Sequence, residues 1–202
     1  MRAGASEFCY SLALFCNPFT HMKYKTILAD PPWDINLTGT RKRKKGSQPE
    51  KLPYPVMSMF ELMILPIRLL GTEDSHLWLW TTNQTIENGF LLMRTWGYKY
   101  LSCIHVIKPS GTGNYFIQRS QTILFGYKEK CKFNKERYKP NIINVCDPKR
   151  HSEKWEETYQ YIEAISSPPR IELFARQKRE GWHSWGNEIE SDINFNLTTA
   201  ST

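Results

Sequence analysis

The run HLWLWTT, residues 76–82, constrains the fold of this 202-residue chain more than any other stretch. It is almost continuously apolar, and a short run of this kind is typical of a strand that is buried on both faces. Such strands occur in parallel sheets that carry helices on both sides. Further short apolar runs predict strands at residues 25–29, 100–107, 122–127, 142–145 and 171–175.

Helical signals lie between several of these runs. The tetrapeptide SMFE, residues 58–61, has the spacing of a capping box and predicts a helix that Pro66 breaks or kinks. Apolar residues at helical spacing predict a second helix over 84–96, which Gly97 ends, and a third is predicted over 152–165 with Ser152 as its cap. The alternation predicts an α/β fold with a mostly parallel sheet flanked by helices. Ligands bind such sheets beyond the carboxyl ends of the strands.

The pentapeptide ADPPW, residues 29–33, lies where the first predicted strand ends. As a purely structural element it would be a tight turn, in which proline fixes the backbone and tryptophan covers the edge of the sheet. As a binding element it offers the carboxylate of Asp30, the carbonyl of Pro31 and the flat ring of Trp33, while Pro32 shapes the turn. Two acceptors and a stacking surface describe a holder for a base with an exocyclic amino group.

A cationic segment follows the pentapeptide in the loop over 35–55. It contains five consecutive basic residues, and the whole chain has a net charge of +7: the five are Arg41, Lys42, Arg43, Lys44 and Lys45. By itself such a run can be a solvated loop or a nuclear-import address. Because this basic run closely follows the two acceptors of ADPPW in the sequence, we interpret the run as a contact for the phosphates of nucleic acid.

Cysteine spacing and hydropathy limit the classes of protein to which the chain can belong. The five cysteines are scattered and never spaced C-x-x-C, which argues against a disulfide framework and against a zinc site, so no metal is predicted. We expect an intracellular, reducing location, cytoplasmic or nuclear. No run approaches the roughly 18 apolar residues of a membrane span, so no membrane partner is expected. Residues 1–22 make a poor secretory signal, and we expect one domain over 23–190 followed by a frayed tail over 191–202.

Methylation of an amino group on a base is the chemistry that needs such a holder. The exocyclic nitrogen of adenine is a poor nucleophile, because its lone pair is delocalised into the ring. Acceptors on both N–H bonds favour a pyramidal nitrogen and direct the lone pair towards a methyl sulfonium placed in line. The acceleration would come from positioning and from fixed dipoles that face developing positive charge. In a duplex the base must first leave the stack.

Seven stretches together resemble a known family. In chain order they are ADPPWDI, LPYPVMS, HLWLWTT, ENGFLLMRTWGY, HSEKWEETYQYIE, RIELFAR and WHSWGNEI. They resemble the S-adenosylmethionine-dependent adenine-N6 methyltransferases typified by the 70-kilodalton subunit of the mRNA methyltransferase, which include prokaryotic and phage DNA-modifying relatives. The similarity runs from about Lys25 to Ile189. It implies a Rossmann-like methyltransferase fold, S-adenosylmethionine as the cofactor, and adenine in nucleic acid as the substrate.

The resemblance also implies roles for individual residues. Asp30 would hold the target amine or bind the amino group of the cofactor's methionine moiety, the Pro31 carbonyl would be the second acceptor for the amine, and Trp33 would stack on the adenine. Lys154 would pair with the cofactor carboxylate, where the structural alternative is a solvated helix lysine, and Tyr54 would sit on a loop that closes over the substrate. The rest of the cofactor pocket would come from the last predicted strand and the segment after it, through Glu172, Phe174, Arg176 and Asn187.

The chain departs from the family pattern in several places, of which two concern the cofactor pocket. Ala175 stands where many relatives have glycine, which matters only where the backbone approaches the cofactor closely. Residues 1–22 do not match a C-D-I-R-like segment that lines the adenine pocket in relatives, which bears on cofactor affinity.

Three functions stay open from the sequence. The intact ADPPW motif favours an active adenine-N6 methyltransferase, with DNA slightly preferred over RNA as the substrate. The alternative is a non-catalytic nucleic-acid-binding subunit that partners an active methyltransferase, although such members typically lose the tetrapeptide DPPW. Methylation of another planar amide, such as a protein glutamine, would leave the cationic loop without a role. The aromatic content permits a homodimer or a complex with a related partner subunit.

Overall fold

The structure is a computed structural model that describes residues 22–34, 55–112, 115–134, 139–146 and 154–195. Within these ranges the strands are β1 (Tyr24–Ala29), β2 (Gly71–Thr81), β3 (Lys99–Thr112), β4 (Gln118–Tyr127), β5 (Ile142–Asn144), β6 (Arg170–Leu173) and β7 (Trp182–Trp185). The helices are α1 (Met59–Met63), α2 (Ile67–Leu70), α3 (Ile86–Thr95) and α4 (Glu156–Ile165). No helix in the described part of the chain has the length and apolarity that a bilayer span requires.

All seven strands form one sheet, in the order β5-β3-β4-β2-β1-β6-β7. Strand β1 pairs in parallel with β2 and β6, β6 with β7, and β3 with β5. Strand β4 alone runs antiparallel to its neighbours, β2 and β3. The predicted α/β class, with a mostly parallel sheet flanked by helices in a Rossmann-like fold, is confirmed.

Strand β2 is buried on both faces, as its apolar run predicts. Leu77 and Leu79 belong to one core cluster, whereas Trp78 and Trp80 belong to a second. Alternate residues of a strand point to opposite faces, so the two clusters lie on opposite sides of the sheet. The first cluster contains residues of α1, α2 and α3, and the second contains residues of α4. Helices therefore cover both faces of β2.

Local signals set the helix ends as predicted. Ser58 Oγ accepts a hydrogen bond from the Glu61 backbone N–H at 3.3 Å, and the Glu61 carboxylate accepts one from the Ser58 backbone N–H at 2.7 Å, which confirms the capping box. Pro66 separates α1 from α2. Gly97 ends α3 with a φ of +77°, a conformation that favours glycine.

Several predicted boundaries were wrong. Strand β3 continues to Thr112 and β4 begins at Gln118, whereas the predicted strands end at 107 and begin at 122. Helix α4 begins at Glu156, with Trp155 as its N-cap, and the expected cap Ser152 lies outside the described residues. Strand β2 begins at Gly71, five residues before the apolar run, because pairing with neighbouring strands extends it through a polar segment. The four-residue β7 was not predicted, since so short a strand at the edge of the sheet has little pattern of its own.

The chain after Ile189 is not frayed as far as Phe195. The Asp192 carboxylate accepts a hydrogen bond from the Ser184 backbone N–H at 2.8 Å. The Phe195 ring lies 4.7 Å from that of Trp185, edge to face, and it packs against the first core cluster. The prediction missed this segment because its few apolar residues show no helix or strand period, and the surface on which they pack forms only when the sheet and its core assemble.

Candidate active site

The carboxyl ends of four parallel strands meet at one edge of the sheet, where a pocket opens. Thr82 follows β2, Asp30 follows β1, Phe174 follows β6 and Gly186 follows β7, and all four line the pocket. Its volume is about 640 Å³, which is within the range of small-molecule sites. The pocket therefore lies where ligands bind to sheets of this kind.

The pocket brings together nine of the fifteen residues that the sequence predicts for the site. They are Asp30, Pro31, Pro32, Trp33, Lys154, Glu172, Phe174, Arg176 and Asn187. The other six predicted residues lie outside the described part of the chain: Arg41, Lys42, Arg43, Lys44, Lys45 and Tyr54.

The ADPPW turn is fixed by backbone hydrogen bonds. The Pro31 carbonyl accepts from the Trp33 N–H at 2.8 Å, and the Pro32 carbonyl accepts from the Met57 N–H at 3.0 Å. A carbonyl oxygen has two lone pairs, so the Pro31 carbonyl keeps one for a ligand. The Trp33 indole N–H donates to the Trp80 carbonyl at 3.1 Å. Since Trp33 is 7% exposed, the core covers most of its ring.

A buried charge network lies behind Asp30. The Lys154 ammonium lies 2.7 Å from Glu172 Oε1 and 3.3 Å from Asp30 Oδ2, and the side chain is 9% exposed. Burial alone would lower the pKa of Lys154, but the carboxylates of Asp30 and Glu172 outweigh it and raise the pKa above its usual value. Tyr159 donates its hydroxyl to Glu172 Oε2 at 2.8 Å, and burial together with the Glu172 charge raises the pKa of this tyrosine. The network holds Asp30 at the rim, where its side chain is 36% exposed.

The chain segments that follow β6 and β7 pass close to each other at the pocket. Phe174 directly follows β6 with a φ of +61°, a strained conformation for a bulky residue, and its ring meets that of Trp185 edge to face at 5.2 Å. The Ala175 N–H donates to the Trp185 carbonyl at 2.9 Å. A Cβ on Gly186 would lie 2.0 Å from the Ala175 carbonyl oxygen. The close backbone approach therefore requires glycine at 186, while Ala175 is accommodated with 1% exposure.

The outer rim of the pocket is polar and open. Arg176 and Asn187 are exposed there. Arg176 Nε lies 3.8 Å from Glu188 Oε1, with side chains 38% and 57% exposed, so the pair contributes little to stability. These groups can meet the hydroxyl groups of a bound ligand.

Comparison with known proteins decides the family. The MT-A70 family model matches residues 24–188, which is most of the chain. The chain belongs to the MT-A70 family. This confirms the resemblance drawn from the seven sequence stretches.

Named methyltransferases are among the relatives of this MT-A70 protein. The type II methyltransferase M.MunI from Mycoplasma sp is 29% identical over 83% of this chain and 78% of its own length. A putative N(6)-adenosine-methyltransferase from Medicago truncatula is 31% identical over 83% of this chain and 26% of its own. The human catalytic subunit METTL3 is 28% identical over 83% of this chain and 28% of its own. This chain therefore spans about a quarter of the plant and human relatives.

Sequence reasoning missed several pocket residues of the MT-A70 protein. Trp80 and Trp155 stack with ring centroids 6.2 Å apart and planes inclined by 20°, and Trp80 donates its indole N–H to Gln121 Oε1 at 3.1 Å. Trp80 could have been found, because it lies near the carboxyl end of a predicted parallel strand. Gln121 could not, because its position depends on the antiparallel register that places Thr122 opposite Thr81.

Proposed function

We propose that this MT-A70 protein transfers a methyl group from S-adenosylmethionine to the N6 amine of adenine in nucleic acid. The observation that carries the proposal is the ADPPW turn at the carboxyl end of β1, where Asp30 and Pro31 line the pocket. The Asp30 side chain is 36% exposed and can reach a ligand, whereas that of Glu172 is 4% exposed. The relatives named as methyltransferases support methyl transfer.

Asp30 and Pro31 offer two acceptors to one amine. The free lone pair of the Pro31 carbonyl accepts one N6–H, and the Asp30 carboxylate accepts the other. Lys154, 3.3 Å from Asp30 Oδ2, orients this carboxylate by a charge-assisted contact. With both N–H bonds held, the nitrogen lone pair is withdrawn from the ring and points into the pocket. Positioning and fixed dipoles then lower the barrier.

The donor set of the pocket fits S-adenosylmethionine, which supplies an electrophilic methyl group when bound. The rings of Phe174 and Trp185 suit the adenosine, and Arg176 and Asn187 suit the ribose hydroxyls. The Lys154 ammonium has three N–H donors and two carboxylate partners, so one donor remains for the cofactor carboxylate. Lys154 therefore both positions Asp30 and contacts the cofactor.

DNA is slightly favoured over RNA as the substrate. M.MunI, a type II methyltransferase, and METTL3, an N(6)-adenosine-methyltransferase, are similarly identical to this chain, at 29% and 28%, so the preference for DNA stays a prediction. Matched DNA and RNA pools test this preference directly, by mass spectrometry of nucleosides after incubation with protein and cofactor.

Replacing Asp30 with alanine tests the mechanism. We expect Asp30→Ala to abolish formation of N6-methyladenine while the circular dichroism spectrum stays that of the wild type, because the side chain lies at the rim of the pocket. Glu87→Ala is the matched control, since it removes an exposed carboxylate of α3 outside the pocket, and it should keep wild-type activity. Methyl transfer by Asp30→Ala at the wild-type rate would contradict the mechanism.

Calorimetry with S-adenosylmethionine separates an enzyme from a non-catalytic subunit. An enzyme binds the cofactor in the absence of nucleic acid. A wild-type protein that binds an oligonucleotide but shows no heat with the cofactor would be the non-catalytic partner subunit instead.

A further inference from the structure

The β3–β4 hairpin carries three large side chains that the sheet leaves uncovered. Tyr115, Phe116 and Ile117 directly precede β4 and are 95%, 77% and 70% exposed. Single exposed apolar side chains are common in soluble proteins, but a contiguous exposed group marks an interaction site. We call these three residues the hairpin tip.

The hairpin tip lies at the same edge of the sheet as the pocket. Lys108 of β3 and Gln121 of β4 both line the pocket. Strand β4 runs antiparallel to β2, so its first residues lie at the edge where β2 ends. Four residues of extended chain separate Gln121 from Ile117, a distance of about 13 Å. The tip is therefore within reach of the nucleotides that flank a base bound in the pocket.

The segment that carries the tip has only positive charges. Lys108 and Arg119 are its charged residues, and no aspartate or glutamate occurs between 108 and 121. Arg119 Nε donates to the Lys108 carbonyl at 3.2 Å, which holds this exposed guanidinium two residues from the tip. Surfaces that bind unpaired nucleic acid combine aromatic rings, on which bases stack, with cations that face the phosphates.

We propose that the hairpin tip is a stacking platform for unpaired bases that flank the target adenine. Tyr115 and Phe116 stack on these bases, and Lys108 and Arg119 face the backbone phosphates. This inference rests on the proposed function, because it takes nucleic acid as the substrate. It assigns a second contact surface, which adjoins the pocket at Lys108 and is distinct in sequence from the cationic loop.

The double variant Tyr115→Ser/Phe116→Ser tests the platform. Both side chains are exposed, so the fold should be retained. Fluorescence anisotropy is measured with two labelled single-stranded DNAs, one with several nucleotides on each side of a single adenine and one with a single flanking nucleotide. Stacking on one aromatic ring is worth at least about fivefold in affinity, so the Kd for the long DNA should rise by about fivefold or more. The Kd for the short DNA should not change.

The control variant is Leu101→Ser, which removes a 47% exposed apolar side chain near the other end of β3. It should bind both DNAs like the wild type. The platform is overturned if the double variant binds the long DNA like the wild type, or if it loses affinity equally for both DNAs. It is also overturned if sedimentation shows that the double variant changes the oligomeric state, because the tip would then be a protein contact.

Binding is measured without cofactor, so the platform and the proposed function fail separately. If the wild type methylates adenine and the tip variants bind DNA normally, the proposed function stands and the platform is refuted. If the double variant loses affinity for the long DNA but the wild type forms no N6-methyladenine, the platform stands and the proposed function is refuted.

Discussion

Replacing Lys154 with methionine should destabilise the fold through the charge that it leaves behind. The ammonium lies 2.7 Å from the Glu172 carboxylate, which is 4% exposed, and the lysine side chain is 9% exposed. In Lys154→Met, Glu172 keeps the Tyr159 hydroxyl at 2.8 Å but loses its buried counterion. Removing one partner of a buried pair costs about 3–5 kcal/mol. That is a large part of the 5–15 kcal/mol, roughly, by which a domain is stable.

The source of this loss is the unpaired carboxylate, and a second substitution isolates it. Glutamine at 172 can still accept from Tyr159 and needs no counterion. The double variant Lys154→Met/Glu172→Gln should therefore be more stable than Lys154→Met alone by about 2 kcal/mol or more. Asp30 contributes less to the loss, because its side chain is 36% exposed and water can solvate it.

Urea unfolding followed by tryptophan fluorescence measures these differences near neutral pH. Lys99→Met is the matched control, since Lys99 pairs with Glu129 at 3.1 Å but the side chains are 57% and 47% exposed. Loss of that pair should cost no more than about 1 kcal/mol. The reasoning is wrong if Lys154→Met loses no more than the control, or if the losses of the two single variants simply add in the double variant.

Two further predictions concern a buried histidine of the sheet and a glycine at the end of β7. Burial lowers the pKa of His76 from 6.5 to about 4, so its neutral form stabilises the fold fully above pH 6.5 and this contribution is lost as the pH falls towards 4. In urea unfolding, the stability of wild type relative to His76→Phe should fall by up to about 3 kcal/mol over that window, and a constant difference would refute the account. Gly186→Ala places a Cβ 2.0 Å from the Ala175 carbonyl oxygen. The control is Gly181→Ala, whose Cβ meets no atom within 4 Å. The control should lose only roughly 1–2 kcal/mol of stability, because residue 181 has a φ of +78° that disfavours alanine. Gly186→Ala should therefore unfold at a lower urea concentration than the wild type and bind S-adenosylmethionine more weakly. A greater loss of stability in Gly181→Ala than in Gly186→Ala would contradict the steric argument.

Much of the fold was predictable because its signals are local. The capping box at Ser58 and the glycine at 97 act within one helical turn, and the apolar run of β2 reports burial on both faces directly. Strand β7 and the segment around Phe195 were not predictable, because their stability comes from neighbours that are distant in the chain.

The candidate site was likewise predictable only in part. Residue identities alone predicted which groups line the pocket: the acceptors of ADPPW, the lysine at 154, and the glutamate and phenylalanine of RIELFAR. How these groups contact one another became visible in the folded chain. The fold joined Lys154 to both Asp30 and Glu172, covered most of Trp33, and added Trp80 and Gln121 to the pocket. Residue type fixes which donors and acceptors a chain carries, but their distances depend on strand order and register, which arise from contacts across the whole sheet.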